Sequence, residues 1–282
     1  MDYPRIYKEY KPSKHLRHVI RCYWQYERDC GAGEAEQVFP DSSYELFYNR
    51  GATHVVDGEK LPRFYLVNQL EKPTNFYATG TVKAWSIRFY PWGLLPFTAN
   101  NLIPSDKIWF PARDILDATT HQSLERILSR ANETQIIAEL DAFLVKKLLT
   151  WEFDDRTLKR VLDHLIAEKK NISVQALADA CFISRRHLTR KITAATGRSP
   201  HELAMRLRFE KVRDTIMHHP DVSLTQLAQD YNYTDQSHLI KEFRRFTDMT
   251  PSSYAKKFKV WAPQLQNSEN VLFVQFDALP YV

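Results

Sequence analysis

Two clusters of side chains in the last third of the chain are of kinds that read polyanions and base edges. Residues 185–190 hold Arg185, Arg186, Thr189 and Arg190, and residues 236–241 hold Gln236, Ser237, His238 and Lys241. Arg and Lys match guanine O6 and N7, Gln matches adenine, and Ser or Thr bonds either base or a phosphate. Such side chains work as a set only when one rigid element carries them into a groove. Other chemistries lack their residues. GxSxG, HExxH, Walker A and GxGxxG patterns do not occur in the sequence. His15, His18, His54 and His121 show no metal-like spacing with carboxylates, and Cys22, Cys30 and Cys181 form no CxxC. No catalytic residue, cofactor or metal is therefore assigned, and the cysteines read as buried or reduced thiols.

The elements that must position the two clusters follow from an internal repeat. ISVQALADACFIS (172–184) aligns with VSLTQLAQDYNYT (222–234), and LTRKITAATGRSP (188–200) aligns with LIKEFRRFTDMTP (239–251). Each copy reads as helix–turn–helix. Ser173 and Ser223 stand as N-caps before Leu177-Ala178 and Leu227-Ala228. A turn follows at 181–183 and 231–233. Ser184, and Thr234 or Asp235, cap a second helix. In that second helix Leu188 and Ile192, or Leu239, Phe243 and Phe246, face inward, so both clusters face outward from its first turns. Ser199-Pro200 with Glu202, and Thr250-Pro251, open further helices. SPHELAMRLRFEKVRDTIMHHP joins the copies as one helix of about 30 Å, close to the ~34 Å of one DNA turn.

Charge placement agrees. Residues 151–260 hold 20 Lys+Arg against 14 Asp+Glu, leaving 19 and 20 for the rest of the chain. The positive excess thus lies wholly around the repeat, a footprint suited to a polyanion. The first helix of contact carries three arginines in 185–190, the second more discriminating hydrogen-bonding groups.

The segment 154–258 resembles the double helix-turn-helix DNA-binding domain of AraC/XylS-type bacterial transcription regulators. DQSHLIKEFRRFTDMTP and the preceding SLTQLAQDYNY carry the resemblance. It implies double-stranded DNA as partner and Arg186, Thr189, Arg190, Gln236, Ser237, His238 and Lys241 as base-contacting positions, with Arg185 beside them. Asp248 departs from the pattern by standing where the family usually has Gly, the place of Gly197 in the first copy. Asp tolerates the left-handed conformation better than most residues. FPDSSYELFYN and WSIRFYPWG resemble parts of the family's β-rich sensor halves. The resemblance further implies a small-molecule effector, RNA polymerase as a partner, and a homodimer.

Residues 1–150 read differently from the repeat. RCYWQYE, YELFYNR, RFYLVNQ, NFYATGT and AWSIRFYPWG are short strand-like runs broken by Asp41-Ser42, Asn49-Arg50-Gly51, Asp57-Gly58 and Thr79-Gly80, the pattern of an antiparallel sandwich or barrel. The aromatic side chains Tyr23, Trp24, Tyr26, Tyr44, Phe47, Tyr48, Trp85 and Phe89 divide between core and pocket lining. From about 121 the period becomes helical, with Asn132-Glu133-Thr134 separating two helices that are candidates for a dimer surface. The expected fold class is α+β: a β-rich sensor-like domain over 1–150 ending in helices, an all-α domain over 154–258 with two helix-turn-helix units joined by a long helix, and a tail over 259–282 in which VLFVQFDAL reads as a late strand. The start, MDYPRIYKEYKPSK, has no apolar signal-peptide centre, and no run of about 18 apolar residues occurs. A cytoplasmic protein without a membrane span is expected. The reading from another class is a small-molecule-binding protein or enzyme with the helix-turn-helix region as an adaptor. Binding to promoter DNA separates the two.

Overall fold

The computed structural model describes residues 6–98, 107–151, 156–167, 173–258 and 276–277. Among the described residues, ten strands are followed by ten helices and one late strand. The strands are β1 Ile6–Tyr10, β2 Ile20–Cys30, β3 Ala35–Val38, β4 Tyr44–Asn49, β5 Val55–Val56, β6 Glu59–Lys60, β7 Phe64–Val67, β8 Thr74–Tyr77, β9 Gly80–Phe89, β10 Trp109–Pro111 and β11 Phe276–Asp277. The helices are α1 Ala112–Ile115, α2 Ala118–Leu128, α3 Glu133–Thr150, α4 Arg156–Ala167, α5 Val174–Ala180, α6 Arg185–Thr196, α7 Pro200–His218, α8 Leu224–Asp230, α9 Gln236–Thr247 and α10 Pro251–Phe258.

The strands form two sheets, in the orders β1-β2-β9-β4-β7-β10 and β11-β3-β8-β5-β6. All five strand-like runs of the sequence become strands. The six-stranded sheet is buried on both faces, which is why β4 is buried at every position. Period-2 alternation sorts its side chains. Tyr23, Leu46, Tyr48, Phe64, Leu66, Trp85 and Ile87 meet Leu124, Ile127, Ile136, Leu140 and Leu144 of α2 and α3. Trp24, Tyr26, Phe47, Tyr65 and Val67 point the other way, toward the second sheet. The apolar stripe of α2 and α3 is therefore covered by the chain's own sheet, with Leu149 left outward. Asn132 separates these helices as an N-cap, its side chain accepting from the Gln135 amide at 2.9 Å.

The short elements β1, β3, β5, β6 and β10 escaped the sequence reading. The β5–β6 hairpin turns on Asp57 (φ 50°) and Gly58 (φ 80°), both left-handed. Of the late strand, Phe276–Asp277 is described and pairs antiparallel with β3, and the rest of VLFVQFDAL lies outside the described residues. Residues 152–155 of the acidic linker and most of the tail lie outside the described residues. Among the described residues no helix is long and apolar enough to cross a membrane.

Candidate nucleic-acid interface

The repeat folds as two matching helix-turn-helix units, α5–α6 and α8–α9. Each starts as its caps dictate. Ser173 accepts from the Ala176 amide at 3.0 Å and Ser223 from the Gln226 amide at 3.4 Å. The next helices are capped by Ser184, from the His187 amide at 3.2 Å, and by Asp235, from the His238 amide at 2.7 Å. Asp235 rather than Thr234 takes that place, while the Thr234 hydroxyl lies 3.3 Å from the His238 ring. Both turns pass through a left-handed residue, Phe182 (φ 56°) and Asn232 (φ 54°). Both contact helices also end alike, on Gly197 (φ 69°) and Asp248 (φ 58°). The Asp departure is thus accommodated in the conformation the Gly would adopt.

The eight predicted side chains are brought to the surface on the first turns of α6 and α9. Arg185, Arg186, Thr189, Arg190, Gln236, Ser237, His238 and Lys241 are all exposed. Leu188 and Ile192, and Leu239, Phe243 and Phe246, are buried beneath them. Each contact helix therefore has one face fixed in a core and one free for a groove. Arg244 and Arg245, one turn further along α9, are exposed as well.

Helix α7 links the units over 19 residues and carries the predicted capping box of Ser199 and Glu202. It is more than a spacer. Met205, Phe209, Val212, Ile216 and Met217 enter the core of the second unit, and Leu203 enters that of the first. Arg208 donates to Glu242 of α9 at 3.1 Å, and Tyr233 donates to the same carboxylate at 2.6 Å. Arg206, Glu210 and Arg213 form a third stripe, at i, i+4 and i+7, and all are buried.

That stripe faces one end of the β-sandwich, where β2 and β4 begin and β3, β7 and β9 end. Arg21 pairs with Glu210 at 2.8 Å, and the Ser42 amide donates to the same carboxylate. Arg206 donates to the carbonyls of Leu70 at 2.8 Å and Asp41 at 3.3 Å, and pairs with Glu71 at 2.5 Å. Arg198, just past α6, also pairs with Glu71, at 2.6 Å. Two aromatic side chains complete the junction. Trp92 packs into the first unit's core with Leu158, Val161 and Leu177, while its indole donates to the His18 carbonyl at 2.8 Å. Phe39 enters the second unit's core against Tyr254, with ring centroids 5.5 Å apart. Asp41 and Ser42 were read from sequence only as a turn, and none of these residues was singled out for a junction. The signal was present as Arg206, Glu210 and Arg213 on one stripe of α7, among other charges of the same helix.

The sandwich interior holds a second group of polar residues. Glu45 accepts from the Trp24 indole at 2.9 Å and the Ser86 hydroxyl at 2.6 Å, and pairs with Arg88. Beside it a narrow cavity of about 20 Å³ is lined by Glu36, Asp41, Glu45, His54, Phe47, Tyr65 and Phe76, among others. Glu36 and His54 are 3% and 2% exposed, with His54 Nε2 3.9 Å from Glu36 Oε2. Burial raises the Glu36 carboxyl to about 7, against the opposing pull of Tyr26 and Arg28. Burial lowers the His54 imidazole to about 4, so the ring is neutral. Of the aromatic residues offered as pocket lining by the sequence, only Phe47 lines this cavity. Tyr23, Trp24, Tyr26, Tyr44, Tyr48, Trp85 and Phe89 are buried in the surrounding cores. Sequence spacing could not bring His54 to Glu36, which lie on different strands and loops.

Residues 177–257 match the family model described as "Helix-turn-helix domain". The C-terminal part of this chain is a helix-turn-helix domain. Residues 8–103 match a second model, described as "Domain of unknown function (DUF6597)". The chain is 27% identical over 152 residues to a probable transcriptional regulator, LumQ, of Photobacterium leiognathi, covering 49% of this chain and 60% of the relative. It is 26% identical over 159 residues to the transcriptional activator RhaS of Escherichia fergusonii, covering 50% of this chain and 56% of the relative. The chain thus spans between half and two thirds of the length of these curated relatives. Among solved structures, ToxT of Vibrio cholerae is similar over 83% of this chain and 97% of its own, with 11% identity and a TM-score of 0.44. The DNA-binding domain of AdpA, solved with a target DNA, is similar over 38% of this chain and 97% of its own, with 23% identity and a TM-score of 0.34.

Proposed function

We propose that this protein is a sequence-specific regulator of transcription that reads duplex DNA with α6 and α9. The carrying observation is the pair of capped helices whose first turns expose Arg185, Arg186, Thr189, Arg190, Gln236, Ser237, His238 and Lys241 while their opposite faces are buried. Helix α7 extends for about 28 Å at the usual rise, close to the ~34 Å separation of successive major-groove segments on one DNA face. The arginine-rich α6 supplies more of the phosphate attraction, and α9 more of the base discrimination. The relatives named as transcriptional regulators support the same reading. The β-sandwich serves as the controlling half, since it grips α7 and reaches both units.

The test is a footprint of the purified protein on its own upstream region and on random DNA of equal length. Protection of two major-groove segments about one helical turn apart, with preference for the upstream region, is expected. Equal binding to all sequences would make the protein a general DNA-coating one. No binding to either would return the helix-turn-helix region to an adaptor role.

A further inference from the structure

Among the described residues, two of the eight contact side chains are already hydrogen-bonded within the chain, and each bond leaves a different group free for the groove. On α6 the Thr189 hydroxyl donates to the Arg185 carbonyl at 2.9 Å. This is the back-bond that a helical threonine makes to the carbonyl four residues before it. The hydroxyl proton is spent there, and the oxygen is turned onto the helix. The γ-methyl takes another staggered position, clear of that carbonyl. Thr189 is exposed, so an apolar group stands out from a face otherwise made of Arg185, Arg186 and Arg190.

On α9, His238 is held from two sides. Its Nδ1 lies 3.3 Å from the Thr234 hydroxyl, and the buried Tyr233 ring meets it edge-to-face, with centroids 5.3 Å apart and planes at 85°. Tyr233 is itself fixed. Its hydroxyl donates to Glu242 at 2.6 Å, and the Arg208 guanidinium stands 4.1 Å from its ring centroid. The bond to Thr234 also selects the tautomer. An unprotonated imidazole nitrogen is a stronger acceptor than a hydroxyl oxygen, so Thr234 donates and Nδ1 accepts. The proton then sits on Nε2, across the ring. His238 is exposed, so it presents one N–H donor of set direction rather than a group that donates or accepts at will.

Base edges differ in what they offer these two groups. In the major groove thymine alone carries a methyl, and guanine alone shows two acceptors side by side, N7 and O6. Adenine sets a donor beside its N7, and cytosine shows a donor. A lone N–H donor is therefore best met by guanine N7, where O6 adds to the attraction. We propose that Thr189 reads a thymine through its methyl, and that His238, held by the positioning residues Thr234 and Tyr233, reads a guanine N7 through Nε2–H. The inference rests on the regulator reading and names part of the sequence that each unit prefers.

The experiment uses the full chain and duplexes that it selects from a random pool, resynthesised with one base changed at a time. At one thymine, replacement by uracil removes only the methyl and should weaken binding about fourfold, the worth of burying one such group. At one guanine about one helical turn away, 7-deazaguanine removes N7 and should weaken binding about fivefold, one net hydrogen bond. Thr189→Val keeps a methyl without the hydroxyl and should still tell thymine from uracil. Thr189→Ser keeps the hydroxyl without the methyl and should bind both alike. His238→Ala should bind guanine and 7-deazaguanine alike. Thr234→Val should reduce the 7-deazaguanine effect and leave the uracil effect unchanged. Far-UV circular dichroism checks that each variant is folded. Discrimination kept by Thr189→Ser, or lost by Thr189→Val, would overturn the methyl contact in favour of the hydroxyl. Full 7-deazaguanine sensitivity in His238→Ala would overturn the histidine contact, and in Thr234→Val it would overturn the role given to Thr234. Selected sites that respond to neither replacement would overturn the whole inference and keep the regulator. A pool that yields no preferred sequence would defeat the regulator reading, and this inference with it.

Discussion

The two helix-turn-helix units share a backbone plan and differ in what holds the contact helix. In the second unit, α9 is locked by groups of its own half: Glu242 with Arg208 and Tyr233, beneath the aromatic cluster of Phe209, Phe243, Phe246 and Tyr254. At the matching place in the first unit stands Lys191, and the core is aliphatic, with Leu177, Ala178, Leu188 and Ile192 closed by Trp92 from the sandwich. Arg198 at the end of α6 reaches the sandwich again, through Glu71 and Gln69. Both units thus take an aromatic side chain from the sandwich, Trp92 in the first and Phe39 in the second, and the second also locks its contact helix through Glu242 within its own half.

The largest expected effect tests the lock. Glu242→Ala leaves Arg208 without its buried partner and should destabilise the chain by about 3–5 kcal/mol. Lys191→Ala, at the matching position, should cost about 1 kcal/mol or less. Chemical denaturation measures both, and equal losses would remove the contrast between the units. Next come the two plugs. Trp92→Ala and Phe39→Ala should each cost about 3–5 kcal/mol. Hydrogen exchange should then show faster opening of α5–α6 for the first variant and of α8–α10 for the second. Faster exchange in the same unit for both would contradict the separate anchorage.

Smaller effects sharpen the division of labour on DNA. Arg190→Ala and Lys241→Ala should each weaken binding to the preferred site by about 1–3 kcal/mol if the side chain reads a base. A side chain on phosphate would weaken all sequences alike and reduce the salt slope by about one. Competition binding at several salt concentrations separates these, with more phosphate character expected at α6. The smallest effect concerns the helix ends. Asp248→Gly should raise stability by up to about 1 kcal/mol, and Gly197→Asp should lower it by a similar amount, because both positions are left-handed. Thermal unfolding reads both, and a loss for Asp248→Gly or a gain for Gly197→Asp would show that the two ends are not equivalent.

Much of the contact surface was legible because it depends on local signals. Caps such as Ser173, Ser184 and Ser223, the buried Leu188 and Leu239, and the Pro starts all act within a few residues of themselves, and a repeat doubles each signal. The strands of the sandwich were legible for the same reason where they run long enough to alternate. What escaped depends on contacts between distant parts of the chain. Arg21 from near the start of the chain meets Glu210 from its last third, and Arg206 meets Glu71. On a sequence these are ordinary charges, and only burial reveals their role. The helical stripe of Leu124, Ile136 and Leu140 was legible as apolar but not as to its partner, which proved to be the chain's own sheet.

The triple engagement of α7 has a bearing on how such a protein can be rearranged over time. Its apolar sides belong to the two units, and its charged stripe of Arg206, Glu210 and Arg213 belongs to the sandwich. A crossover in the linker that joined residues 156–258 to a foreign partner would carry this stripe away from Arg21, Ser42 and Glu71. The transplanted helix would then bring stranded charges to whatever surface it met. Such an exchange would succeed only with a partner that supplies groups matched to this stripe.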